Sequence, residues 1–145
     1  MKPLLVACIL FIVHQVSSDA DIATMITRIT ESCAERNGVL SNQMNEHMSK
    51  DELPEDNGPF IQFYECLMSD LGMYDENGEV QFERVPNNKP VYIVERLGDD
   101  ISTTLILEAF DHCNSQVKVS PRALDAIKRR NCGLKYIKNK LKKSN

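Results

Sequence analysis

The 145-residue chain has no tryptophan, few aromatic residues of any kind (6%) and only three histidines. The scarcity of histidine limits its chemistry. A nucleophilic triad sets a base beside Ser or Cys, and a zinc site clusters His, Cys or carboxylates at ligand spacing. His14 lies in an N-terminal apolar stretch, and neither His47 nor His112 has a second histidine or a free cysteine close by. No catalytic residue, metal site or cofactor is expected, and both histidines are expected at surface or partly buried positions. Positive charge is also short: 17 Lys and Arg face 21 Asp and Glu, a net charge of −4. A nucleic-acid binder normally has the reverse balance, so nucleic acid is disfavoured as a partner. Apolar runs of the roughly 20 residues that span a bilayer are missing, and so is any Asn-x-Ser/Thr sequon.

The longest apolar run, Pro3 to Val13, follows Lys2 and precedes Val16-Ser17-Ser18. This is the pattern of a secretory signal peptide over residues 1–18, with cleavage after Ser18 or, almost equally well, after Ala20. Its loss takes one Lys and no acid, leaving an acidic, secreted, extracellular domain over residues 19–145. Cys8 departs with the leader, and Cys33, Cys66, Cys113 and Cys132 remain. In an oxidising compartment an even set in a small chain reads as a disulfide framework, here two bridges.

Apolar periodicity is helical along most of the chain. Ile22, Met25, Ile26, Ile29 and Cys33 form one stripe over residues 21–36, ended by Asn37-Gly38. Ser41 suits an N-cap for a short helix to about Lys50, with a weaker stripe of Met44, His47 and Met48. Residues 53–59, Leu-Pro-Glu-Asp-Asn-Gly-Pro, are rich in helix breakers and read as a loop. Phe60, Phe63, Tyr64, Leu67, Met68 and Leu71, with Cys66 among them, give the most buried helix. Turns follow at Asp75-Glu76-Asn77-Gly78 and Val85 to Pro90. The run Val91 to Val94 leans to a short helix because no partner strand is evident. Asp100 or Ser102 suits a cap for the helix carrying Leu105, Ile106, Ala109, Phe110 and Cys113. Ser120-Pro121 is read as a cap with proline in the first helical position. The final stripe is Leu124, Ile127, Leu134, Ile137 and Leu141, interrupted at Gly133. The sum is an all-α single domain of about six helices.

Four cysteines allow three connectivities. Helix phase favours the local pairs, since Cys33 and Cys66 lie on apolar stripes separated by a short helix and Cys113 and Cys132 face each other across one turn. At this point the chain resembles the insect odorant-binding protein family, which includes pheromone-binding and general odorant-binding proteins. Cys66-Leu67-Met68-Ser69-Asp70-Leu71-Gly72 with Asp75-Glu76-Asn77-Gly78-Glu79 is similar to the stretch after that family's third cysteine. Cys33, Cys113 and Cys132 match its first, fourth and sixth. Its second and fifth fall at Gln62 and Ala123, so one whole bridge is missing, as in the four-cysteine "minus-C" type. The resemblance implies the bridges Cys33–Cys66 and Cys113–Cys132.

It also implies helices around an apolar cavity that carries a small apolar ligand, such as an odorant, pheromone or lipid-like molecule, through extracellular fluid. The residues placed at that ligand are Phe60, Phe63, Tyr64, Met68, Leu71, Tyr74, Leu105, Ile106, Phe110, Leu124, Ile127 and Tyr136, with one of Tyr64, Tyr74, Tyr92 or Tyr136 fixing its orientation. Equally, these apolar faces read as plain core, and spacing alone does not separate the two. Partners beyond the ligand are a membrane receptor or an anionic membrane surface, and the protein is a monomer or a homodimer. Lys128, Arg129, Arg130, Lys135, Lys138, Lys140, Lys142 and Lys143 are read as the solvated face of the last helix, with the anionic surface as the sharper alternative. The family further suggests ligand release in acid, with His47 or His112 as a trigger. The competing class is a secreted helical effector, salivary or reproductive, that binds a host protein or a biogenic amine.

Overall fold

The structure, a computed structural model, describes residues 18–80, 91–98 and 100–144. Residues 1–17 of the leader expected over residues 1–18, and the turn expected at Val85 to Pro90, lie outside them. Among the described residues six helices follow in order: α1 Ser18–Arg36, α2 Ser41–Met48, α3 Gly58–Asp70, α4 Val91–Leu97, α5 Thr103–Asn114 and α6 Arg122–Lys143. Among the described residues there is no strand, only an isolated bridge between Tyr74 and Val80. None of the described helices is long and apolar enough to cross a membrane.

Local chemistry sets most of the boundaries. Helix α1 ends at Gly38, whose φ of 65° is the left-handed conformation that costs a glycine least. There Val39 N–H reaches Ala34 O (3.0 Å) and Gly38 N–H reaches Glu35 O (3.1 Å), a Schellman closure. Asn57 caps α3 by accepting from Phe60 N–H at 3.0 Å, and Ser102 rather than Asp100 caps α5 through Leu105 N–H. Two expected caps differ. Ser41 is the first residue inside α2, and Leu40 holds the cap position without a side-chain bond. Pro121 stands at the N-cap of α6 rather than one residue inside, without a side-chain cap bond, and Asp125 in the first turn accepts instead from Val119 N–H in the preceding loop at 3.0 Å. Gly133 does not interrupt α6 at all. It is buried within an unbroken helix, where packing outweighs its low propensity.

The disulfides join Cys33 to Cys66, linking α1 to α3, and Cys113 to Cys132, linking α5 to α6. These are the pairs favoured by helix phase. The buried residues divide into two clusters rather than one. The first gathers Cys33, Ala34, Met44, Leu53, Phe60, Phe63, Tyr64, Leu67, Met68, Ala123, Ala126 and Ile127. The second gathers Ile93, Ile101, Ile106, Ala109, Leu134 and Ile137. Helix α6 serves both, its N-terminal half packing into the first and its C-terminal half into the second, with Arg130 and Gly133 between.

Candidate functional site

The residues assigned to a ligand follow this division. Phe60, Phe63, Tyr64, Met68 and Ile127 are buried together in the first cluster, with Leu71 and Tyr74 packed against it. Ile106 is in the second, with Leu105, Phe110 and Tyr136 against it. Leu124, on the neighbouring face of α6, is only partly buried and joins neither. The side chain of Tyr92 lies outside the described residues. Phe60 is the aromatic centre of the first cluster: its ring lies 6.0 Å from Phe63 and 5.8 Å from Tyr64, and His47 meets it edge-on at 5.3 Å. Such offset and edge contacts add specificity to apolar burial.

The tyrosines are not equivalent. Tyr74 O–H donates to Glu65 at 3.1 Å, and the Arg122 guanidinium lies 4.0 Å from the centre of its ring. Arg122 donates in turn to Glu65 and to Ser69 Oγ (3.2 Å). Burial first, and the Glu65 carboxylate second, push the Tyr74 phenol well above its ordinary value. Tyr136 stacks 5.0 Å from His112, with the Lys140 ammonium 5.4 Å from its ring. It lines an open polar groove of about 780 Å³ between α5, α6 and the loop carrying Asp51, Glu52 and Glu55. Tyr64 is 5% exposed within the first cluster. Burial raises its pKa, and the positive charge of Arg130 opposes that rise.

Arg130 corrects the reading of the C-terminal cations as one solvated face. It is 3% exposed and donates to Asp51 O (3.0 Å), Asn131 Oδ1 (3.3 Å) and Lys50 O (3.4 Å). Arg129 is also inward: it bonds Asp125 at 2.7 Å and closes the end of α5 through Cys113 O at 2.8 Å. Lys128 pairs with Glu55 and Lys138 with Asp51, while Lys135, Lys140, Lys142 and Lys143 remain exposed. The signal for Arg130 was present in the sequence, since it falls three or four residues from Ile127 and Leu134 on the apolar stripe. Asn131 adds a two-sided clamp, accepting from Leu53 N–H and donating to Leu53 O, both at 2.9 Å. Leu53, although among helix breakers, is thereby fixed in the core, 1% exposed.

The acidic turn near residue 75 is internally satisfied. Asp75 Oδ1 accepts from Asn77 and Glu79 N–H (2.8 and 2.9 Å), and Glu79 pairs with Lys118. Gln62 and Ala123, where the family places its missing bridge, line one cleft between α3 and α6.

No curated protein and no solved structure matches the chain. The family comparison does match, over residues 16–136, with the PBP/GOBP family of pheromone-binding and general odorant-binding proteins. With its all-α fold and paired disulfides, the chain thus belongs to the PBP/GOBP family, whose members are secreted binding proteins for small hydrophobic ligands rather than enzymes.

Proposed function

We propose that this protein is a secreted carrier that encloses one small apolar molecule between its helices and moves it through extracellular fluid. Residues 1–18 direct secretion and are removed, and residues 19–145 form the carrier. The observation that carries the reading is the family match over residues 16–136, joined to a helical fold held by two disulfides. The ligand contacts the first apolar cluster, centred on Phe60, Phe63, Tyr64, Met68 and Ile127, with Leu71 at its edge. Ile106 and its neighbours Leu105 and Phe110 provide the second wall across α6. Tyr74, Tyr136 and Leu124 contribute to the surroundings of the site rather than to its centre.

Affinity arises mainly from apolar burial, about 25 cal/mol for each Å² removed from water. Methionines such as Met44 and Met68 adapt to ligands of varied outline. Protein produced by a secreting host, delipidated and refilled with an apolar fluorescent probe, is expected to bind it saturably with one-to-one stoichiometry. Absence of uptake would overturn the carrier in favour of a surface-acting effector.

A further inference from the structure

Arg129 carries a donor that the fold does not use. Its guanidinium is held on two sides: Nε donates to Asp125 Oδ2 at 2.7 Å, and Nη1 donates to Cys113 O and Asn114 Oδ1 at 2.8 and 3.1 Å. The side chain is only 11% exposed, and among the described residues Nη2 is the one buried side-chain nitrogen or oxygen without a hydrogen-bond partner. A guanidinium stays charged and accepts nothing, so only an acceptor brought to it satisfies this amino group. A buried donor left unpaired is costly and rare in a folded protein. Arg129 is also a wall of a cleft of about 400 Å³ between the turn at residues 77–80 and the connection from α5 to α6. Arg122, about two turns earlier on the same face of α6, forms another wall. It gives Nε and Nη2 to Glu65 and keeps Nη1 toward Gly78, 3.6 Å from where a Cβ on that glycine would stand. Lys118, Glu79 and Asp125 complete the charged lining, which has one positive charge in excess.

We propose that this cleft binds an oxyanion, a carboxylate or a phosphate, one oxygen of which accepts from Arg129 Nη2 while the charges of Arg122 and Lys118 flank it. A guanidinium and an oxyanion match in hydrogen-bond geometry as well as in charge. The single excess charge suits a monoanion, since Asp125 and Glu79, already paired with Arg129 and Lys118, oppose a second negative charge. Ammonium compounds meet three cations there and offer no acceptor. An occupant ties the turn that follows α3 to the N-terminal half of α6, and so stabilises the folded protein. None of the buried residues of either apolar cluster lines the cleft. The oxyanion site therefore lies apart from the ligand region proposed above and stands without the carrier reading.

The test uses the secreted, disulfide-bonded protein labelled with nitrogen-15. Sodium acetate and sodium phosphate are titrated in turn at constant ionic strength, with sodium chloride as balancing salt, while the arginine Nε–Hε resonances and the melting temperature are followed. The Arg129 resonance is expected to move saturably, and the melting temperature to rise with the same midpoint. Movement with acetate alone assigns the site to carboxylates, and movement with phosphate alone to phosphates. Arg129→Lys keeps a cation but loses Nη2, and should weaken the anion about tenfold, the order of one charge-assisted hydrogen bond. Asn114→Asp keeps an acceptor for Nη1 but sets a carboxylate in the lining, and should weaken it similarly; this variant decides the matter if Arg129→Lys does not fold. Movement no larger than chloride produces, with either oxyanion, overturns the proposal. So does an unchanged affinity in either folded variant, or movement confined to other arginines, which would place the anion elsewhere.

Discussion

Two tyrosines in this protein hold their protons more tightly than free tyrosine does, for related reasons. Burial raises both phenols, and at Tyr74 the Glu65 carboxylate adds to the effect. A group whose folded pKa exceeds its unfolded one, about 10 for tyrosine, contributes stability that is complete below the unfolded value. That contribution is lost as pH rises through the folded value. The protein should therefore weaken above about pH 10, with phenolate absorbance appearing later in the native state than in urea. Tyr74→Phe should blunt this alkaline decline. A second residue-scale expectation concerns Asn131, whose amide satisfies both backbone groups of buried Leu53. Asn131→Ala leaves a buried donor and acceptor without those partners and should cost about 1–3 kcal/mol in urea unfolding. Both tyrosines were legible in the sequence as apolar-face residues. Their difference was not, because it depends on Glu65 and Arg122, which are 57 residues apart.

At the scale of elements, α1, α3, α5 and α6 were legible from their apolar stripes, whereas α2 carried only a weak stripe and α4 was read as helix for want of a partner strand; side-chain caps on α3 and α5 and left-handed glycines after α1, α3 and α4 mark several of the ends. Legibility failed where an expected cap is not made, as at Ser41 and Ser120-Pro121, and where tertiary packing overrides propensity, as at Gly133. The division of the core was hidden for a similar reason. One continuous stripe on α6 gives no sign that its two halves pack against different partners. The disulfides tie those partners: one spans a sequence separation of 33 and the other of 19. The chain-entropy treatment assigns each about 3–4 kcal/mol and makes the longer loop worth about 0.5 kcal/mol more. Replacing Cys33 and Cys66 together by serine should lower the urea midpoint slightly more than replacing Cys113 and Cys132. The opposite order would point to packing around the second bridge as the dominant contribution.

For the molecule as a whole, the segment between α2 and α3 is held to α6 by Arg130, Asn131, Lys128 and Lys138. The hydrogen bond from Lys138, ahead of other influences, draws the Asp51 carboxyl below its usual range. A lowered carboxyl contributes stability above its unfolded value, near pH 4, and loses it as pH falls through the folded one. Attachment of this segment should thus persist through mild acid and weaken only below about pH 4, seen as faster amide exchange at Leu53. The connection between α3 and α6 is of another kind. Relatives with six cysteines place a covalent bridge where this chain has Gln62 and Ala123. Beside them, Arg122 reaches across to Glu65 and Ser69 through contacts that are about half exposed. A disulfide ignores dissolved ions, but a half-exposed ion pair is weakened by them. Helices α3 and α6 are therefore joined by a fastening whose grip follows the ionic strength of the surrounding fluid, so salt itself becomes a means of loosening one helix from the other.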